Sequence, residues 1–145
     1  MPKPDLESIF PGLRGGAYDI TSAIDPSYNC AAFAAHEQEE WWDPYRPDGV
    51  WPDDLERDAS IGHFIALYER KGFVACVDGA FEIGFEKIAL YADASGAFGH
   101  AARQLESGLW TSKLGELEDI QHASLESLAN PDYGQPSRFM KRPRG

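Results

Sequence analysis

The hydrophobic pattern changes period at Gly72, and that change limits what the chain can build. Before it, Ile61, Phe64, Ile65 and Tyr68 recur at helical spacing. Beyond it, short aromatic and branched runs at 73–77, 85–91, 98–105 and 109–113 alternate with turn clusters such as Ala94-Ser95-Gly96 and Glu106-Ser107-Gly108. Helices first and hairpins after predict an α+β fold, with helices packed on an antiparallel sheet. One helix is expected from about Asn29 to Glu40. A second is expected from Asp58 or Ser60 to Lys71, stopped by Gly72. Residues 17–21 suit a short extended segment, Ser124 a cap for a short helix over 125–129, and 136–141 a closing strand. The 145 residues show no repeat and no low-complexity linker, so a single domain over 1–145 is expected.

Trp41 to Asp54 holds three of the four tryptophans together with Pro44, Pro47 and Pro52, which rules out a regular helix interior. It reads as an ordered aromatic loop. Neighbouring residues of an extended segment point opposite ways, so Trp41 and Trp51 are expected inside and Trp42 beside a groove, where it would contact substrate. The bland alternative is that these rings only cover the core.

A net charge of −11 argues against nucleic acid or an anionic membrane as partner. The one basic run, Lys141-Arg142-Pro143-Arg144, reads as a solvated tail. No apolar stretch approaches the roughly 20 residues of a membrane span, and Met1-Pro2-Lys3-Pro4-Asp5 begins no signal core. A cytoplasmic location is expected, with export lacking a signal peptide as the other possibility. Cys30 and Cys76 are expected reduced, Cys76 as a small buried hydrophobe in a strand.

Turn residues Asp25 to Asn29 run straight into Cys30-Ala31-Ala32-Phe33-Ala34-Ala35, which puts the thiol in the first turn of a helix. Free N–H groups and the helix dipole favour a thiolate there. His100 on a following strand suits a general base, and the Cys30 N–H an oxyanion donor. Asp119 is the first choice to orient the imidazole, with Ser112 as the alternative. A two-residue turn at Glu106-Ser107 would put Lys113 opposite His100, as a substrate or oxyanion contact. The competing reading is an inert buried cysteine and an unrelated histidine. His36-Glu37-Gln38-Glu39-Glu40 lacks the second histidine of a zinc helix, and Gly12, Gly15 and Gly16 lack the Lys-Ser/Thr of a phosphate loop. No metal and no cofactor are expected.

Cysteine on a helix start, histidine on a strand, then a polar residue: this order resembles the papain-like fold in its compact bacterial form, such as the NlpC/P60 and CHAP amidases. Tyr28-Asn29-Cys30, Trp41-Trp42-Asp43-Pro44, His100-Ala101-Ala102-Arg103 and Trp110-Thr111-Ser112-Lys113-Leu114-Gly115 more closely resemble a family of small bacterial proteins with no assigned activity. No glutamine shortly precedes Cys30, unlike papain itself. The resemblance implies a cysteine hydrolase or acyltransferase acting on an amide bond of a peptide, a peptidoglycan stem or a glutamine side chain. The alternative is a non-catalytic protein-binding or immunity-type module on the same fold.

Overall fold

A computed structural model describes residues 2–114 and 116–144, the side chains of residues 2–5 excepted. Among the described residues three short α-helices, α1 (Pro2–Ile9), α2 (Cys30–Ala34) and α3 (Ile61–Glu69), accompany seven strands. These are β1 (Tyr18–Ile20), β2 (Val74–Cys76), β3 (Phe85–Ala92), β4 (Phe98–Gln104), β5 (Trp110–Lys113), β6 (Asp119–His122) and β7 (Gln135–Pro143). The strands form one sheet in the order β1-β6-β5-β4-β3-β7-β2, with every neighbouring pair antiparallel. The α+β papain-like expectation is therefore overturned: a seven-stranded sheet dominates, and Cys30 begins a helix of only five residues. Gly115 lies outside the described residues.

Both faces of the sheet are covered. On one, Ala31, Ala32, Phe64, Leu67, Tyr68, Trp42 and Trp51 pack over Ile88, Leu90, Ala101 and Met140. On the other, Leu6, Phe10, Leu13 and Leu128 pack over Ala89, Tyr91, Ala102, Trp110 and Ile120. Central β3 thus reads Ile88-Ala89-Leu90-Tyr91-Ala92 without polar alternation, as a strand buried on two sides does. No helix among the described residues is long and apolar enough to cross a membrane.

α2 stops at Ala34 because His36 takes the left-handed conformation, φ 69°. The His36 N–H then reaches the Phe33 carbonyl and the Glu37 N–H the Ala32 carbonyl, a Schellman closure built without glycine. The expected extension to Glu40 does not form. The basic run is no tail. It completes β7, where Lys141 pairs with Glu82 at 2.9 Å and Arg142 lies 4.3 Å from the centre of the Phe73 ring.

Candidate active or binding cleft

Asn29 builds the start of α2. Its Oδ1 accepts the Ala32 N–H at 3.2 Å, capping the helix, and also the Trp42 N–H at 3.1 Å. Its Nδ2 donates to the Trp42 carbonyl at 3.0 Å. One buried amide therefore ties the helix to the aromatic loop. That loop closes on itself through the Val50 N–H on the Trp41 carbonyl, and Trp51 Nε1 donates to the Glu56 carbonyl at 3.0 Å. Phe64, stacked on Phe98 at 3.8 Å, supports it from below.

Between the loop and the α2–β4 seam lies a cleft of about 260 Å³. Trp41, Trp42, Pro44, Tyr45, Phe98 and Tyr133 give it an aromatic wall, with Cys30, Asn29 and Asp43 beside them. Both tryptophans line the cleft, and it is their expected burial that is exchanged. Trp42 is 3% exposed and packs on Tyr68, whereas half-buried Trp41 carries the Arg46 guanidinium 4.0 Å from its ring centre.

Cys30 stands in this wall, but the rest of the expected constellation is dispersed. The β4–β5 ladder pairs Arg103 with Thr111 and Gln104 with Trp110, and stops there. The first half of β4 is therefore free of β5. The backbone N–H groups of Ala101, Ala31 and Cys30 itself favour the charged form of the Cys30 thiol. Burial outweighs these donors and pushes the thiol up to about 11.

His100 is wholly buried, stacked on Tyr133 at 4.3 Å and edge-on to Tyr91 at 5.1 Å. Neither of its nitrogens has a hydrogen-bond partner among the described residues, so thiol and imidazole are not paired. Burial, with His122 nearby, drives His100 well below the ordinary histidine range. Gly99 lets the Tyr133 backbone close over this ring, since a Cβ there would lie 2.1 Å from the Tyr133 carbonyl oxygen.

Asp119 lies opposite Lys113 in the β5–β6 ladder and accepts the Tyr28 hydroxyl at 2.7 Å. Burial raises its carboxyl. Lys113 is buried, 5.0 Å from the Tyr28 ring centre, and donates to the Leu117 carbonyl, away from the cleft wall. Ser112 is bonded to His122 Nε2 at 2.8 Å. His122 Nδ1 faces the Ser124 carbonyl at 2.9 Å and must donate to it, which leaves Nε2 to accept from Ser112. Neither Asp119 nor Ser112 reaches the His100 ring.

The turn explains the Lys113 misplacement. Leu105 N–H bonds to the Leu109 carbonyl around three residues, with Gly108 at φ 90°, rather than around two. The ladder shifts by one residue. Asn29, Trp41 and Tyr133 are cleft residues that the sequence reading passed over. For Asn29 a signal existed, an asparagine directly before an apolar helical run. Elsewhere, Glu56, Asp58 and His63 bring one ligand atom each within 4.8 Å of one another, with His63 Nδ1 already 2.7 Å from Asp58.

No curated protein and no solved structure matches the chain. A family model matches residues 19–141, spanning the aromatic loop, Cys30, His100 and β3 to β6, and gives no support to the papain-like resemblance. By that match the chain belongs to the family described as Domain of unknown function (DUF7689).

Proposed function

We propose that the protein is a binding domain that receives an apolar or aromatic group of a protein partner in the cleft between Trp41–Tyr45 and Tyr133. The observation that carries this reading is the chemistry of the wall: converging aromatic rings around a thiol that burial keeps protonated. A fixed aromatic pocket offers area at little conformational cost. Asn29 supplies the rigidity by holding Trp42 on the helix cap. Peptide display tests it. Enriched sequences are expected to share an aromatic or large apolar residue and to lose binding to Trp41→Ala; enrichment indifferent to that change defeats the reading.

A second reading, hydrolysis of an amide bond by Cys30, draws on the two unpartnered nitrogens of His100. Such a buried ring usually has a partner, and this one lies directly behind Tyr133, a cleft residue. Released toward the cleft, His100 would take the Cys30 proton and later pass it to the leaving amine, with Asp119 or Ser112 available to hold the ring only after leaving Tyr28 or His122. The acyl chain would rest on the Cys30 sulfur until water displaces it. Iodoacetamide separates the two readings. A binding domain keeps Cys30 slow at pH 6 with its inflection far above 8.5, whereas a thiolate enzyme labels fast at pH 6 and slows on His100→Ala.

A further inference from the structure

We propose that the cavity beside β7, remote in chemistry from the aromatic cleft, binds a phosphoryl-type dianion. The cavity measures about 490 Å³ and is lined by His36, Glu86, Glu106, Arg142, Pro143 and Arg144. Its centre is one buried carboxylate. Glu86 takes His36 Nε2 at 2.5 Å, Arg142 Nε at 3.3 Å and Arg144 Nη1 at 4.0 Å. Burial resists charging Glu86, but His36, Arg142 and Arg103 together hold it below the usual carboxylate range.

Two guanidiniums of the lining, Arg142 and Arg144, therefore share one buried acid, in a chain whose net charge is −11. Exposed Glu106 is the only other carboxylate in the lining. Unpaired cationic donors in a half-buried site are costly until an anion meets them.

The donors are also positioned. Arg142 Nη1 is fixed by the Lys71 carbonyl at 2.9 Å and Arg144 Nη2 by the Phe85 carbonyl at 3.1 Å. Arg142 Nη2 and Arg144 Nε have no acceptor among the described residues and remain for a ligand. Two guanidinium planes anchored to backbone suit an oxyanion with several acceptor oxygens, and the cavity leaves room for the group that carries it.

Inorganic phosphate, titrated into the purified protein at constant ionic strength with chloride replaced, is the direct probe. Side-chain nitrogen resonances of Arg144 and Arg142 and the His36 ring are expected to shift saturably together. Arg144→Gln should weaken binding by at least about tenfold, and Arg144→Lys by clearly less. Thermal melts without phosphate check that each variant folds; if Arg144→Gln does not, His36→Gln provides the same comparison. Shifts that do not saturate, or that are spread over surface cations and unchanged by Arg144→Gln, overturn the assignment.

Discussion

Asn29 holds Trp42 by both backbone groups, accepting its N–H at 3.1 Å and donating to its carbonyl at 3.0 Å, while the same oxygen caps α2. A five-residue helix is far too short to persist alone. This amide makes helix and loop a single unit.

Removing it should show. Asn29→Ala deletes the cap and leaves two Trp42 backbone groups buried without partners, a loss of about 3 kcal/mol. Asn29→Asp keeps the acceptor and loses the donor, so it should cost less. Urea unfolding followed by tryptophan fluorescence gives both numbers; an alanine variant as stable as the parent would show that the clamp holds nothing.

Stability should fall in mild acid. His122 titrates near 6.5 unfolded and about 4 folded, because burial opposes its charge. Between those values the unfolded chain binds the extra proton. The contribution is therefore complete above about 6.5 and disappears as the pH drops toward 4, about 3 kcal/mol from this ring. His100, lowered by the same cause, adds to the slope. Asp119, raised by burial, opposes it, since its contribution is present in acid and lost as pH rises through its folded value. Urea midpoints from pH 7 to pH 4 should decline, and His122→Gln should flatten the decline. An unchanged slope in that variant counts against the assignment.

Gly99→Ala places a methyl 2.1 Å from the Tyr133 carbonyl oxygen, where only backbone can move aside. A loss of about 3 kcal/mol is expected, read as a lower melting temperature. Because Tyr133 also walls the cleft, ligand affinity should fall with it. A fully stable variant would mean that the 131–134 turn is free to lift.

His36→Gly and His36→Ala both delete the imidazole and differ by one Cβ at φ 69°. The glycine variant should be more stable by about 1 kcal/mol. Equal stabilities in a denaturant titration would show that the left-handed closure of α2 is not held in solution.

Much of the chain was readable because its signals are local. Apolar runs between turn clusters marked the strands at 85–91 and 98–105, Gly72 and Ser60 bounded α3, and the prolines of 44–52 excluded a helix. What failed were signals depending on one left-handed residue or on distant pairing. His36 ends α2 where no glycine announces it, and Gly108 lengthens a turn by one residue and moves Lys113 out of register with His100. β6 carries Asp119 and His122, polar residues that look exposed on paper and are buried only because β1 and β5 flank them. The site suffered the same way. Cys30 and Trp42 are near in sequence and meet in the cleft, whereas His100, Ser112 and Asp119 were assigned across strands whose facing no local pattern decides.

The placement of β7 has a consequence for the order in which the sheet can be made. It pairs with β3 on one side and β2 on the other, so the last strand enters between two that were synthesised long before it. Until residues 135–143 have emerged, β2 has no partner among the described strands and β3 presents an unpaired edge that is apolar from Ile88 to Ala92. A nascent chain must carry that adhesive edge while residues 93–134 are made. Any truncation before Gln135 would leave it permanently open to strands of other molecules.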